Sequence, residues 1–418
     1  MRYGVLMKLK GVTAVTYLIV GNGPAGISAL ERIRQIDSQG KIIMVAAEDS
    51  PPYSRIMTPE YMTKEVTEDD LYIRGTDFYT KHGVEIRLGL KVERVMPESN
   101  QAVLENGERI DYDRLLIATG SRPLIPKWVD MGVEGVFTLW NKADAEKIYS
   151  YLPGVKETVI IGGGLVGLQA ARALAAYGVK ITVVEMANRL MPNQLDQTAG
   201  GMLKNTMETH GVRILLNTTA KSLVVKGNRV KGVELEDMRL NADMVLVVIG
   251  VRPNLDLVAE TGIDTDKGLL VNSYLQTSIS NIYAAGDIAQ ASGQICGDKV
   301  VRVLWPAAVQ QGKVAGANMA GLYEEYAGSH SMNSIQLFGL SIISIGQIES
   351  GPGIEEVFLK YPSTGSYQKL LAHDNRLVGT VFAGDVQQAG ILYHKLGHSL
   401  NAGYWGRLQV VGEEYIVA

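Results

Sequence analysis

The sequence predicts an α/β protein with two similar parallel-sheet units and a third, α+β domain. Three observations predict it. A glycine-rich turn occurs twice, as Gly21-Asn22-Gly23-Pro24-Ala25-Gly26 and as Gly162-Gly163-Gly164-Leu165-Val166-Gly167. A largely apolar run precedes each, Thr16 to Val20 and Thr158 to Ile161, as expected of strands in a parallel sheet covered on both faces. From residue 323 onward the pattern changes to separated, strand-length segments.

After the first turn, Ile27, Leu30, Ile33 and Ile36 recur at helical spacing, and Ile42 to Ala47 read as a second strand that ends at Glu48. Residues 84–125 read as short strands and turns, with Glu105-Asn106-Gly107-Glu108 as a hairpin turn, closing on Leu115-Leu116-Ile117-Ala118-Thr119-Gly120. The second copy repeats this order. An alanine-rich helix runs to Tyr177, a strand from Ile181 to Val184 ends at Glu185, and a β insertion with alternating Val233 and Leu235 leads to a buried strand that stops at Gly250. The third domain is predicted to hold strands at Ile335 to Ile345, Val357 to Tyr361, Gln368 to His373 and Arg376 to Phe382, then a helix from Asp385 to Leu400. The expected domains are 1–124 with 253–322, an inserted 125–252, and 323–418.

Composition narrows the function. The 418 residues, 46% hydrophobic and 20% charged, describe a globular chain, and a formal charge of -4 gives no reason to expect nucleic acid as a partner. No run of about twenty apolar residues appears, so no membrane span is expected. The one cysteine, Cys296, makes no intrachain disulfide and cannot by itself hold an iron–sulfur cluster or structural zinc; no metal site is expected. These points, with an N-terminal apolar stretch that runs into the glycine motif rather than a cleavage site, predict a cytoplasmic protein.

The chemistry lies in the turns. Gly21, Gly23 and Gly26, and Gly162, Gly164 and Gly167, permit a tight turn, let the backbone approach a pyrophosphate and let helix pack on strand. Pro24 and Ala25, and Leu165 and Val166, then open helices whose free N–H groups and dipole favour phosphate. Glu48 and Glu185, ending the second strands, are placed to accept hydrogen bonds from ribose hydroxyls. Glu185 repels a 2′-phosphate, so NADH is expected over NADPH. The alternative is two ordinary α/β turns with solvated acids. Two sites mean two dinucleotides, and the economical pair is a tightly bound FAD with a visiting NADH.

Together with both turns, Ala118-Thr119-Gly120-Ser121-Arg122-Pro123, Gly250-Val251-Arg252-Pro253-Asn254 and Asn281-Ile282-Tyr283-Ala284-Ala285-Gly286-Asp287 make the chain resemble the FAD-dependent pyridine nucleotide-disulfide oxidoreductase superfamily over nearly its whole length. The resemblance implies a glutathione reductase-like fold, with two Rossmann-like domains and a C-terminal α+β interface domain. It implies that Asp287, following Gly286, bonds the flavin ribitol. It also places Ala118, Thr119 and Gly120 in the cofactor site, with Gly120 where the chain crosses between domains, and sets Gly250 beside the nicotinamide.

The stretch Pro52-Tyr53-Ser54-Arg55-Ile56-Met57-Thr58-Pro59-Glu60-Tyr61 is similar to the disulfide-free branch, which includes rubredoxin and ferredoxin reductases, NADH oxidase-like proteins and the flavin module of nitrite reductases. Where disulfide-reducing members carry cysteine, this chain has Ile56 and Met57. Thr58 is expected to cap a helix with Pro59 at its first position, turning Arg55 toward the flavin as a permanent cation; a surface salt bridge is the alternative for Arg55. Trp305, before Pro306, begins another helix that by resemblance aims at the flavin pyrimidine, and Trp305 either covers the ring or only packs. Gln169 stands where many relatives have a glutamate that contacts nicotinamide; the amide keeps a hydrogen bond and loses the charge.

The sequence reading is thus an FAD-dependent NADH oxidoreductase in which hydride passes to flavin N5 and electrons move to or from an external iron–sulfur, rubredoxin or ferredoxin-type protein. The resemblance allows a homodimer, through the third domain, or a place in a larger redox complex, and the sequence does not fix which. Its rivals are an NADH oxidase using oxygen, a separate flavin subunit of a nitrite reductase, and an NADH-responsive redox sensor. Three weaker features read as structural: His394 and His398, four apart on a predicted helix without a third ligand; Cys296 as a non-catalytic thiol; and Glu65 to Asp70 as a solvated acidic surface.

Overall fold

A computed structural model describes residues 14–293, 299–361, 365–399 and 414–417. The chain divides into two compact units. The first comprises Met1–Tyr53, Tyr72–Ser121 and Pro253–Ser329; the second comprises Ser54–Leu71, Arg122–Arg252 and His330–Ala418.

In the first unit a parallel sheet runs in the order Ile282–Ala284, Arg114–Ile117, Thr16–Val20, Lys41–Val45, Val84–Arg87. The central strand buries Leu18 and Ile19 completely, and Ile27, Leu30 and Ile33 of the helix Pro24–Ile36 join the same core. Each such side chain contributes roughly 1.5–3 kcal/mol on burial. The helix Trp305–Met319 approaches this first helix closely because Gly312 and Gly316 face it. A Cβ on Gly312 would lie 2.2 Å from the Ala25 carbonyl oxygen, and one on Gly316 2.5 Å from that of Ala29. The antiparallel insertion Val92–Met96, Gln101–Leu104, Arg109–Asp111 contains the expected hairpin, with Gly107 at φ +84°.

The second unit repeats the topology. Its parallel sheet is ordered Val212–Leu215, Lys180–Val184, Glu157–Ile161, Met244–Val247, Val136–Phe137. The duplicated strands hold the same positions in both sheets. The outermost strand comes from after the second copy in the first sheet and from before it in the second. This unit also carries a six-stranded antiparallel sheet, in the order Met332–Leu337, Leu340–Gly346, Arg376–Ala383, Ser366–His373, Ile354–Tyr361, Glu414–Val417.

Four sequence expectations need correction. Ile335 to Ile345 is a hairpin, not one strand: Phe338 and Gly339 turn the chain with φ +49° and +85°. The last helix spans Ala389–Lys395 and ends where Leu396 becomes extended; His394 lies in its final turn and His398 beyond it, so the two do not share a helical face. Residues 54–71 group with the second unit, where Tyr61 and Met62 are buried and the Tyr61 hydroxyl donates to Glu146 at 3.0 Å. The acids of this segment are not merely solvated, because Glu60 and Glu65 pair with Arg172 at 3.3 and 3.0 Å and Glu68 pairs with Lys142. These partly exposed pairs orient the segment more than they stabilise it.

Candidate functional site

The two glycine turns have nearly identical backbones. Gly21 and Gly162 adopt φ +111° and +116°, and a Cβ on either would strike a carbonyl oxygen, of Ala118 at 2.2 Å and of Val248 at 2.4 Å. Gly26 and Gly167 are as tightly constrained, by the carbonyls of Gly21 and Gly162 at 2.0 and 2.2 Å. The middle glycines differ in kind, since a Cβ on Gly23 or Gly164 would meet nothing within 4 Å. The outer glycines therefore serve protein packing, whereas the middle ones border open space.

Each turn feeds a helix, Pro24–Ile36 or Leu165–Ala175, whose N-terminus has no side-chain cap. Elsewhere, the helices Lys142–Tyr151 and Gln197–Thr209 are capped by Asn141 and Asp196. A cap is worth about 1 kcal/mol. The two glycine-turn helices forgo it, as Trp305–Met319 also does, and leave first-turn N–H groups, including those of Ala25, Gly26, Leu165 and Val166, for an anion.

The acids are held differently. Glu48 Oε2 accepts from the Tyr53 hydroxyl at 2.6 Å, and nearby Asn22 Nδ2 donates to the Ser50 carbonyl at 2.9 Å. Glu185 is buried, with Oε2 accepting from the Gly163 N–H at 2.7 Å and Oε1 from the Ala187 N–H at 2.8 Å. A side chain at Gly163 would crowd both Glu185 Cβ at 3.1 Å and Leu190 at 2.8 Å, so this glycine lets the carboxylate lie on the turn.

The first unit gathers the remaining predicted flavin residues except Arg55. Asp287 Oδ2 accepts from Ser121 Oγ at 2.7 Å, and the Gly286 N–H donates to Gln311 Oε1 at 2.8 Å, with Gln311 fully buried. Gly120 sits at φ +65°; its carbonyl accepts from the Asn254 N–H at 3.0 Å, while Asn254 Nδ2 donates to the Thr119 carbonyl at 2.8 Å. Ala118 N–H bonds the Val20 carbonyl at 2.8 Å, tying this segment to the first turn. Trp305 is half-buried at the start of its helix, with Pro306 in the first turn as expected. Ser50 Oγ and Thr119 Oγ1 are buried without partners. Each such hydroxyl costs about 1–3 kcal/mol unless a ligand completes it. Uncapped donors, open space beside Gly23 and orphaned hydroxyls together fit a large polar dinucleotide.

Ser121, Gln311 and Asn254 were not singled out from the sequence. Ser121 and Asn254 lie inside the motifs Ala118–Pro123 and Gly250–Asn254, but only the fold shows which atoms they bond.

In the second unit, Gln169 is half-buried on the helix Leu165–Ala175, and Gly250, at φ +114°, accepts the Leu124 N–H at 2.9 Å. The Arg55 guanidinium stands 5.0 Å from the centre of the Trp140 ring. Thr58 is not a cap: it is the first residue of the helix Thr58–Met62, and its hydroxyl donates to the Arg55 carbonyl at 2.8 Å. Met57 holds the cap position instead, and no side chain caps this helix. Cys296 lies outside the described residues. Among the described residues no helix is long and apolar enough to cross a membrane.

Comparison with known proteins agrees with this architecture. Residues 15–312 match the family described as pyridine nucleotide-disulphide oxidoreductase, and residues 332–397 match the rubredoxin NAD+ reductase C-terminal domain. The chain is 32% identical over 380 residues to a nitrite reductase [NAD(P)H] of Bacillus subtilis, covering 90% of this chain and 46% of that protein. It is 30% identical over 386 residues to the NADH-dependent phenylglyoxylate dehydrogenase subunit epsilon of Aromatoleum evansii, covering 92% and 91%. Among solved structures, NADH:rubredoxin oxidoreductase from Clostridium acetobutylicum superposes with a TM-score of 0.75 at 28% identity, covering 95% and 100%. The chain spans about half the length of the Bacillus subtilis relatives it matches. Paired glycine turns, uncapped helices and matches that span nearly every described element lead to one conclusion: the chain belongs to the pyridine nucleotide-disulphide oxidoreductase family.

Proposed function

We propose that this chain is an FAD-dependent NADH oxidoreductase that exchanges electrons with an external iron–sulfur or rubredoxin-type protein and uses no disulfide of its own. The observation that carries the reading is the pair of uncapped glycine-turn helices, one in each unit, each with an acid at the end of the following strand. Such a pair calls for two dinucleotides, and the single cysteine leaves no dithiol to receive electrons within one chain.

In the first unit, the N–H groups of Ala25 and Gly26 would hold a pyrophosphate, Glu48 a ribose, and Asp287, oriented by Ser121, the ribitol hydroxyls. Thr119 and Ser50 supply hydroxyls that still lack partners. The N-terminus of the helix Trp305–Met319 offers a positive dipole to an anionic ring edge. In the second unit, Leu165, Val166 and Gly167 would hold the NADH pyrophosphate. Glu185 accepts from the adenosine ribose and repels a 2′-phosphate, while Gln169 and Gly250 take the nicotinamide end. Bound flavin would supply the chemistry that accepts one hydride, two electrons together, and passes those electrons on singly. The relatives named for rubredoxin and for a dehydrogenase subunit support a protein acceptor or donor.

Anaerobic stopped flow tests the reading. NADH should bleach the flavin rapidly, and rubredoxin or a [2Fe–2S] ferredoxin should restore it within turnover time. Fast reoxidation by oxygen with no response to either protein would favour the NADH oxidase reading instead.

A further inference from the structure

We propose that the C-terminal domain positions the ribose-recognition loop of the second site, through two side-chain contacts that bracket residues 189–196. This rests on the assignment of Gly162–Gly167 and Glu185 to NAD(H). At one end Arg189 folds over its own loop, donating Nε–H to the Leu195 carbonyl at 2.8 Å and Nη2–H to that of Pro192 at 3.0 Å. It also pairs with Glu349, which lies between the strands Leu340–Gly346 and Ile354–Tyr361. At the other end Asp196 uses Oδ1 to cap the helix Gln197–Thr209 through the Ala199 N–H at 3.0 Å. Its Oδ2 accepts from the Tyr367 hydroxyl at 2.6 Å and lies 3.8 Å from Lys369 Nζ, which in turn lies 3.4 Å from Glu356.

A cap needs one carboxylate oxygen, and water would satisfy the other at a helix end. Here the second oxygen is committed to the C-terminal sheet, and Asp196, Tyr367 and Lys369 are all buried. A buried cation and carboxylate persist only when paired, so this contact is discrete rather than sliding. From it a continuous set of bonds reaches the ribose acid. The Leu195 N–H donates to the Met191 carbonyl at 2.9 Å, the Met191 N–H to the Gly163 carbonyl at 2.9 Å, and the Gly163 N–H to Glu185 at 2.7 Å. Leu190, fully buried, packs where a Gly163 side chain would stand. Fixing the loop at both ends holds Glu185 in place before the dinucleotide arrives, which lowers the ordering cost of binding. Arg189, Asp196, Glu349 and Tyr367 are positioning residues acting through Glu185 and the turn.

The test uses the flavin-loaded full chain, with ADP-ribose as the calorimetric probe and NADH kinetics alongside. Tyr367→Phe and Glu349→Gln should each weaken ADP-ribose binding and raise the NADH KM about three- to tenfold, the size of one lost hydrogen bond, with kcat and flavin content held. Glu349→Asp should recover much of the loss. Should Tyr367→Phe fold poorly, Glu349→Gln, at a half-exposed carboxylate, carries the test alone. If Glu185→Ala weakens ADP-ribose but Glu349→Gln binds it like wild type, or only lowers Tm and kcat at constant KM, the inference is overturned. If Glu185→Ala itself leaves ADP-ribose binding unchanged, the site assignment falls, and the inference with it.

Discussion

At the first glycine turn the fastenings are side chains: Asn22 reaches across to Ser50, and Tyr53 holds Glu48. At the second turn Gly163 takes the place of Asn22, and the main chain itself bonds the acid through the Gly163 and Ala187 N–H groups. The first site also keeps orphaned hydroxyls at Ser50 and Thr119, which a resident ligand would satisfy. One backbone device thus appears in two settings. The first leaves hydroxyls for a ligand to complete, whereas at the second the main chain alone holds the acid.

The largest effects should separate the outer glycines from the middle ones. Gly21→Ala and Gly162→Ala force a Cβ into a carbonyl at positive φ. Each should cost on the order of 3 kcal/mol or more and lower Tm sharply in thermal melts. Gly23→Ala and Gly164→Ala, which meet open space, should cost no more than about 1 kcal/mol yet block a pyrophosphate. Gly23→Ala should purify without flavin, while Gly164→Ala should stay yellow and lose NADH binding. Equal stability losses at outer and middle glycines would remove the distinction.

The next effect separates the two sites by their acids. Asp287→Ala should give protein poor in FAD by absorbance. Glu185→Ala should keep its flavin and raise the NADH KM about tenfold, narrowing the preference over NADPH. The reverse pattern would exchange the assignments of the two units.

The smallest effect compares the units in alkali. Tyr61, in the second unit, is pushed up from 10.0 to about 12 by burial first and then by its bond to Glu146. Tyr112, in the first unit, is pushed up to about 12 by burial and then by Glu98. A phenol whose folded value is raised stabilises the fold fully below its unfolded value. That contribution is lost as pH rises through the folded value, here between 10.0 and about 12. Tyr61→Phe and Tyr112→Phe should each flatten the fall of Tm across that window; an unchanged slope would show that the phenol does not titrate with unfolding.

Both turns could be read from sequence because glycine at a positive φ, an apolar parallel strand and a terminal acid are local requirements that leave local marks. Asp287 and Trp305 were found only through resemblance to other proteins. Ser121 and Gln311 escaped because their partners, Asp287 and Gly286, lie far along the chain and no spacing encodes that meeting. Residues 54–71 read as part of the first domain by position, but Tyr61, Glu60 and Glu65 find their partners on the helices Lys142–Tyr151 and Leu165–Ala175. The hairpin at Phe338-Gly339 was hidden because phenylalanine is an uncommon choice for a left-handed turn position. The cap at Thr58 failed because the helix begins one residue earlier than expected, which puts Met57 at the cap position and Thr58 inside the first turn.

The account rests on one resident flavin that a visiting NADH reduces without help from cysteine. Anaerobic titration of purified Cys296→Ser protein with NADH, followed by visible absorbance, addresses this most directly. The account predicts a yellow protein that bleaches with one equivalent of NADH per flavin, and with NADPH only at much higher concentration. A colourless protein that takes up no FAD, or a flavin that NADH leaves oxidised, would contradict it.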